Sequence, residues 1–304
     1  MLLQDAIDEF FIEQRVRGNS AVTLRDYKTK LNMFLKFVGN VDVSELNLHV
    51  CRSYYLHIAE KQENTVTVQT YIRSLRAFLN FLYNNEFIDV DICKKFKLPK
   101  ARQMMIDILT DDELEAIFKV YPGDDFYDVR NRAILSLMLD SGLRLNEVVT
   151  ADRRKLHLKE RFIIVTGKGN KQRAAAFGLT TQNTLKRYLE LAPESDRLII
   201  KVSTHGTAEP IKITTIKQLF RTLKNKSGIK RVHSHLLRHT FATRYLENGG
   251  NIFTLQLLLG HTSLDMVKKY LHLAQTRVRK EFVNYSPLDR YIDELQEQKK
   301  PPHK

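Results

Sequence analysis

The chain has 304 residues, 43% of them hydrophobic and 28% charged, and Lys plus Arg outnumber Asp plus Glu by 49 to 35 for a net charge of +14. This composition excludes a chain disordered throughout, a collagen-like repeat and a disulfide scaffold, and the length suits about two domains. A positive surplus of this size attracts polyanions, either nucleic acid or an acidic membrane surface. It is uneven, with 14 basic and 12 acidic side chains in residues 1–100 against 35 and 23 in the remainder.

The first hundred residues carry helical periodicity. Ile7, Phe10, Phe11 and Val16 fall roughly on one face of a first helix. Ser20 can cap a second, in which Leu24, Tyr27, Leu31, Phe34, Leu35 and Val38 recur before Gly39-Asn40 ends it. Val50, Tyr54 and Ile58 fit a third helix, and Val68, Tyr71, Ile72, Leu75, Phe78, Leu79 and Leu82 a fourth. Together they predict an all-α four-helix bundle. Arg73 and Arg76, with Lys28 and Lys30, lie off the apolar stripes; they either solvate a face or position a phosphate backbone.

From Lys94 to Gln103 the periodicity is lost while basic residues and Pro99 accumulate, which reads as a linker. Thr110 with Glu113 forms a capping box that opens a new helix, so the domains are expected at 1–105 and 106–304. The second begins helical. Phe162–Val165 and Arg173–Phe177 then flank Gly167-Lys168-Gly169-Asn170-Lys171 as a β-hairpin, with Leu198-Ile199-Ile200 as a possible third short strand. Helices resume at about Ile213, where Lys212, Lys217, Arg221, Lys224, Lys226, Lys230 and Arg231 make the most basic stretch of the chain. The fold class expected is mainly α: a helical bundle followed by an α+β domain with a small antiparallel sheet.

Cys51 and Cys93 have no metal-ligand spacing and are too few to staple a chain of this length. The N-terminus is acidic and amphipathic, unlike a signal peptide, and no window reaches 18 consecutive apolar residues. A soluble, cytoplasmic protein with no membrane partner is expected.

Three islands carry candidate chemistry. In Ser141-Gly142-Leu143-Arg144-Leu145-Asn146-Glu147, Gly142 ends one helix and Arg144 starts the next, with Glu147 three residues on to brace it. Taken alone, such a pair is usually only a helix-surface pair. In His235-Leu236-Leu237-Arg238-His239-Thr240, His235 and Arg238 share a face. His235 and His239 at i, i+4 also have zinc spacing, but no glutamate motif or cysteine cluster accompanies them and Arg238 between them would repel a dication. In the third island Gly260 stops an apolar helix ahead of His261, and Tyr270 follows nine residues later, where a tyrosine is ordinarily core or interface.

Together these residues meet one chemical need, attack by a phenol on a phosphodiester. Arginines hold the non-bridging oxygens through charge-assisted bonds, a histidine donates to an oxygen or takes the phenol proton, and a lysine can protonate the leaving oxygen. The order and spacing of G-L-R-x-x-E, G-K-G-N-K, H-x-L-R-H-T-F-A-T, L-G-H and the tyrosine resemble the tyrosine recombinase (phage integrase) family, especially its small Xer-type members.

The resemblance covers most of the chain. It implies a core-type DNA-binding domain over 1–105 and a catalytic domain over 106–304 that together clamp duplex DNA. The family's catalytic arginines fall on Arg144 and Arg238, its hairpin lysine on Lys168, its histidines on His235 and His261, and its nucleophile on Tyr270. Lys171 is the alternative to Lys168 as the general acid, and Glu147 orients Arg144. The DNA-facing candidates are Arg73, Arg76, Lys171, Arg173, Lys217 and Arg221. The resemblance further implies strand exchange through a 3′-phosphotyrosyl intermediate without metal, ATP or other cofactor. It implies double-stranded DNA with inverted half-sites as partner and a homo-tetramer in which residues 276–297 dock on a neighbour. Those residues fit equally a helix closing over its own domain. Leu236 stands where many relatives have Asp, Ala174-Ala175-Ala176 departs from the usual strand after the hairpin, and no arm-type domain is expected ahead of the bundle.

Overall fold

The structure, a computed structural model, describes residues 1–62, 64–97, 107–167 and 170–260. It divides into two compact units, Met1–Met105 and Ile106–Lys304. Lys168, His261, Tyr270 and the 276–297 segment lie outside the described residues.

The first unit is built on α1 (Leu3–Val16), α2 (Ala21–Val38), α3 (Leu48–Lys61) and α4 (Thr65–Asn84). Side-chain caps set three of the starts, because a helix begins with backbone N–H groups that lack partners. Ser20 accepts from Thr23 N, Asn47 from His49 N and Val50 N, and Asn64 from Val66 N. Gly39 stops α2 at φ 85°, a conformation glycine adopts without steric cost. The core centres on Phe10, whose ring meets Tyr27, Phe78 and Phe81 edge-on at 5.2–5.7 Å.

Two expectations for this unit are corrected. Val16 is 82% exposed and Gln14 is buried instead, because Leu3, Ile7, Phe10 and Gln14 follow the four-three-four steps of one helix face and Val16 falls off them. Asn19 Nδ2 donates to the Gln14 side-chain Oε1 at 2.8 Å, which makes that burial tolerable. The linker also does not start at Lys94. Ile92–Lys95 form a one-turn helix, α5, because Ile92, Cys93 and Phe96 are apolar and pack on the bundle. Arg76 holds this turn by donating to the Cys93 carbonyl at 3.0 Å and to the Phe96 carbonyl.

The second unit opens with α6 (Asp111–Lys119), where both bonds of the Thr110–Glu113 capping box form. Next come α7 (Phe126–Asp140) and the short α8 (Leu145–Thr150). Strands β1 (Leu156–His157), β2 (Phe162–Thr166) and β3 (Gln172–Ala176) form an antiparallel sheet in that order. Then follow α9 (Leu179–Leu191), β4 (Ile200–Val202), β5 (Ala208–Pro210), α10 (Ile213–Ser227), α11 (Ser234–Glu247) and α12 (Ile252–Leu259). Helix α7 is the central element: Val129, Ala133, Ile134, Leu135, Leu137 and Met138 are all fully buried, between α9 on one side and α11 on the other.

The sheet departs from expectation. Leu198-Ile199-Ile200 do not extend the hairpin sheet, whose third strand is Leu156–His157. Only Ile200 of the three enters a strand, and it pairs with Pro210 in a separate two-stranded sheet. The reason is burial: Leu198 and Ile199 lie in the main core, and Ile200 N is held by the Tyr188 hydroxyl at 3.0 Å. Among the described residues no helix is long and apolar enough to cross a membrane.

Replacing Phe10 by Ala is expected to lower the stability of the first unit by about 3–5 kcal/mol. Hydrogen exchange of the α1–α4 amides in the whole chain measures this, and a loss under about 1 kcal/mol would remove Phe10 from the centre of that core.

Candidate active site

The turn between α7 and α8 places the first island. Gly142 takes φ 58°, and a Cβ there would stand 2.5 Å from the Phe241 ring, so only glycine lets this turn lie against α11. The next helix is reached at Arg144, which is its N-cap rather than a residue of its first turn. Glu147 is 2% exposed and accepts Arg144 N at 2.8 Å on Oε2 and Arg144 Nη1 at 3.0 Å on Oε1. The Arg144 guanidinium stays partly open, at 29% side-chain exposure. The pair is therefore a fixed mount for Arg144 and not a surface pair.

Arg173 was a DNA-facing candidate, and the structure moves it inside. It lies opposite Val165 on β3 and shares the core-facing side of the strand with Ala175, since successive strand residues alternate faces. Its Nη2 donates to Glu147 Oε2 at 2.8 Å and its Nη1 to the Leu258 carbonyl, with only 8% of the side chain exposed. Burial raises the Glu147 carboxyl, but the charge and hydrogen bond of Arg173, followed by Arg144, outweigh it and hold the group below its ordinary value.

Arg238 ties the other two islands together. It is 6% exposed on α11 and donates Nη1 to the Gly142 carbonyl and Nη2 to the Leu259 carbonyl at 2.7 Å. One guanidinium thus joins the turn before Arg144 to the residue two places before His261. Gly260 ends α12 in the left-handed region at φ 62°. The hairpin closes on the same place. Gly167 N donates to the Lys171 carbonyl at 2.8 Å, and a Cβ on Gly167 would lie 3.3 Å from Glu147 Oε1 and 3.9 Å from Arg144 Nη1. Arg144, Glu147, Arg173, Arg238, the base of the hairpin and the end of α12 form one cluster.

His235 is exposed on the first turn of α11, three residues from Arg238. His233 was not anticipated: it is the N-cap of α11, and its Nδ1 accepts Leu236 N at 3.1 Å. Its pKa is lowered by burial, then by His235 and Lys224. Among the described residues no three His, Cys, Asp or Glu side chains gather as metal ligands.

The remaining candidates separate. Lys171 is exposed at the hairpin, and Lys217 and Arg221 are exposed on the face of α10 opposite Ile216, Phe220 and Leu223. Arg73 is exposed on α4 and reaches Gln69 at 3.3 Å. Arg76 is directed to the α5 carbonyls and does not stand with them. Arg231 also leaves the basic surface, since it pairs with Glu113 at 2.5 Å and donates to the Ile108 carbonyl at 3.1 Å. Arg244 donates to the Leu109 carbonyl at 2.9 Å and pairs with Asp111, while Thr240 accepts Leu109 N at 3.1 Å. These bonds bind the segment ahead of α6 to the helix that carries Arg238. No sequence signal marked them, because their partners are backbone groups or acidic side chains more than a hundred residues away.

Residues 107–277 match the phage integrase family, and residues 7–86 match the phage integrase N-terminal SAM-like domain. The chain is 30% identical over 303 residues to tyrosine recombinase XerD of Oceanobacillus iheyensis, covering 94% of this chain and 99% of the relative. It is 29% identical over 273 residues to tyrosine recombinase XerC of Staphylococcus carnosus, covering 87% and 91%. The fold is similar to that of a lambda integrase (75–356) dimer bound to a COC′ core site, with a TM-score of 0.74 at 18% identity over 89% of this chain and 95% of that one. It is also similar to XerH site-specific recombinase bound to a palindromic difH substrate, with a TM-score of 0.69 at 19% identity over 90% and 82%.

His233 generates a pH test. A protonated imidazole cannot accept Leu236 N, so the cap contributes stability above the ordinary histidine pKa and loses it as pH falls through the lowered folded value. Thermal unfolding from pH 8 to pH 5 is expected to show this decline. His233→Asn, which caps without titrating, should lack it, and an identical pH dependence in that variant would rule the cap out as its source.

Proposed function

Since the chain belongs to the phage integrase family and is a tyrosine site-specific recombinase, we propose that it breaks and rejoins DNA strands through a 3′-phosphotyrosyl intermediate. The observation that carries this reading is the joining of Arg144 and Arg238 through Gly142. It brings the Arg238 guanidinium of α11 to the turn that ends at Arg144, beside the hairpin base and the end of α12. Such a cluster suits a phosphodiester whose non-bridging oxygens gather charge as phosphorus becomes five-coordinate.

In this mechanism the Tyr270 oxygen bonds to phosphorus and the bond from phosphorus to the 5′ oxygen breaks. His235 takes the phenol proton, and Lys168, or Lys171 in its place, gives a proton to the leaving 5′ oxygen. Arg144, Arg238 and His261 neutralise the transition state, while Glu147 keeps Arg144 aimed. The 5′-hydroxyl of a partner strand then reverses the step. Bond energy is retained in the protein–DNA ester, so the reading invokes neither ATP nor a metal.

The partner is double-stranded DNA with inverted half-sites, and the acting species is a homo-tetramer in the cytoplasm. Arg73 of the first unit and Lys171, Lys217 and Arg221 of the second serve as phosphate contacts. Support for these four is their exposure together with the charge surplus of the chain.

The test uses a nicked duplex drawn from a random pool by binding to this protein. A covalent protein–DNA adduct is expected on a denaturing gel, and Tyr270→Phe should abolish it while DNA binding persists; an adduct that survives the substitution would move the nucleophile elsewhere. Affinity should also fall steeply with salt as phosphate contacts release counterions, and Lys217→Ala should reduce the slope by about one. A flat salt response would count against phosphate-dominated binding.

A further inference from the structure

The geometry points to Arg173 as a positioning residue that holds the mounts of Arg144 and Arg238 in one register. Its guanidinium bridges the Glu147 carboxylate and the backbone carbonyl of Leu258. Glu147 is the group that grips Arg144, through both its backbone N–H and its Nη1. Leu258 immediately precedes Leu259, whose carbonyl receives Arg238. A single buried side chain on β3 therefore spans the supports of two proposed catalytic arginines, one at the N-cap of α8 and one on α11. This rests on the phosphotyrosyl reading above, because it assigns Arg173 a part in presenting those arginines to phosphate.

Three features argue for the bridge rather than simple filling of space. The fork of a guanidinium can point two donors at two acceptors at once, which an ammonium on a flexible stem does not reproduce. Space is also kept for the crossing: a Cβ on Gly260 would come within 2.6 Å of Arg173 Cδ, so glycine at this helix end admits the side chain as well as the left-handed turn. Finally, Glu147 is a buried carboxylate, and among the described residues the charged groups facing it are Arg144 from its own turn and Arg173 from β3. Arg173 gives the larger opposition to burial. Without it the carboxyl would protonate at higher pH and loosen its hold on Arg144.

The experiment compares wild type, Arg173→Gln and Arg173→Lys in single-turnover cleavage of the selected nicked duplex at saturating protein between pH 5.5 and pH 8. Arg173→Gln is expected to cleave about ten- to a hundredfold more slowly at pH 7, the scale on which small misplacements of catalytic groups act. Its rate should fall off on the acid side at a higher pH than that of wild type. DNA affinity should stay within about twofold and the salt slope should not change, because Arg173 meets no phosphate in this arrangement. Arg173→Lys, which keeps the charge and one bond, should have an intermediate rate and a wild-type acid limb.

A wild-type rate and pH profile in Arg173→Gln would overturn the proposal. So would weaker binding with a shallower salt slope and an unchanged saturated rate, which would return Arg173 to the DNA-facing set. Should Arg173→Gln not fold, Arg173→Lys carries the test in a cycle with Glu147→Gln; an equal loss in both backgrounds would show that Arg173 does not act through Glu147. If wild type itself forms no adduct, the phosphotyrosyl reading fails and the bridge is read from stability. The folded Glu147 pKa is lowered, so its stabilisation is present above the ordinary value of 4.5 and lost as pH falls below it. Arg173→Gln should remove that decline as Glu147→Gln does, and retention of the full decline would overturn the bridge.

Discussion

A carboxylate taken out of water must be met by positive donors, and the second unit is organised around meeting that demand at Glu147. Its three donors come from two places in the chain, Arg144 beside it and Arg173 on the hairpin. Arg238 does the complementary job with carbonyl oxygens, binding the turn at Gly142 to the end of α12. A planar, permanently charged guanidinium suits both tasks, since it carries several donors in fixed directions and does not titrate away. The candidate site is thus held by the same kind of group proposed to work in it.

This division of labour changes how the charge of the chain is read. The surplus of +14 is a real statement about polyanions, yet not every arginine contributes to an outward surface. Arg76, Arg173, Arg231 and Arg244 spend their donors on backbone carbonyls and acidic side chains and knit segments together. Arg73, Lys171, Lys217 and Arg221 are exposed, and they are the positions proposed above as phosphate contacts. A basic side chain says where charge is available only after its own neighbours have been satisfied.

The first unit follows a simpler rule. Its four helices are specified by periodicity, three of them also by polar caps, and an aromatic cluster around Phe10 closes the interior. The places where reading the sequence fell short were those where one position decided between faces. Val16 looked apolar enough to be core but is off the stripe, and Gln14 sits on the stripe because Asn19 satisfies it. The turn at Ile92–Lys95 was hidden by its lysines, whose charges mask the burial of Ile92, Cys93 and Phe96.

The starts of α2 and α6, the hairpin, the chain order of the islands and the family were legible in the linear sequence, because caps, glycines, alternation and motif spacing are local properties. The Arg144–Glu147 pair was legible for the same reason, being three residues apart. Whether an arginine turns outward or inward was not, and neither were the joining of the hairpin sheet to Leu156–His157, the cap made by His233 or the use of Gly142, Leu258 and Leu259 carbonyls as acceptors. Those depend on which distant segments are packed against one another, and every residue carries the same carbonyl. Local chemistry therefore determined which elements and residues were present, while tertiary packing decided which of them meet, since desolvation and hydrogen-bond satisfaction exist only once the chain has folded.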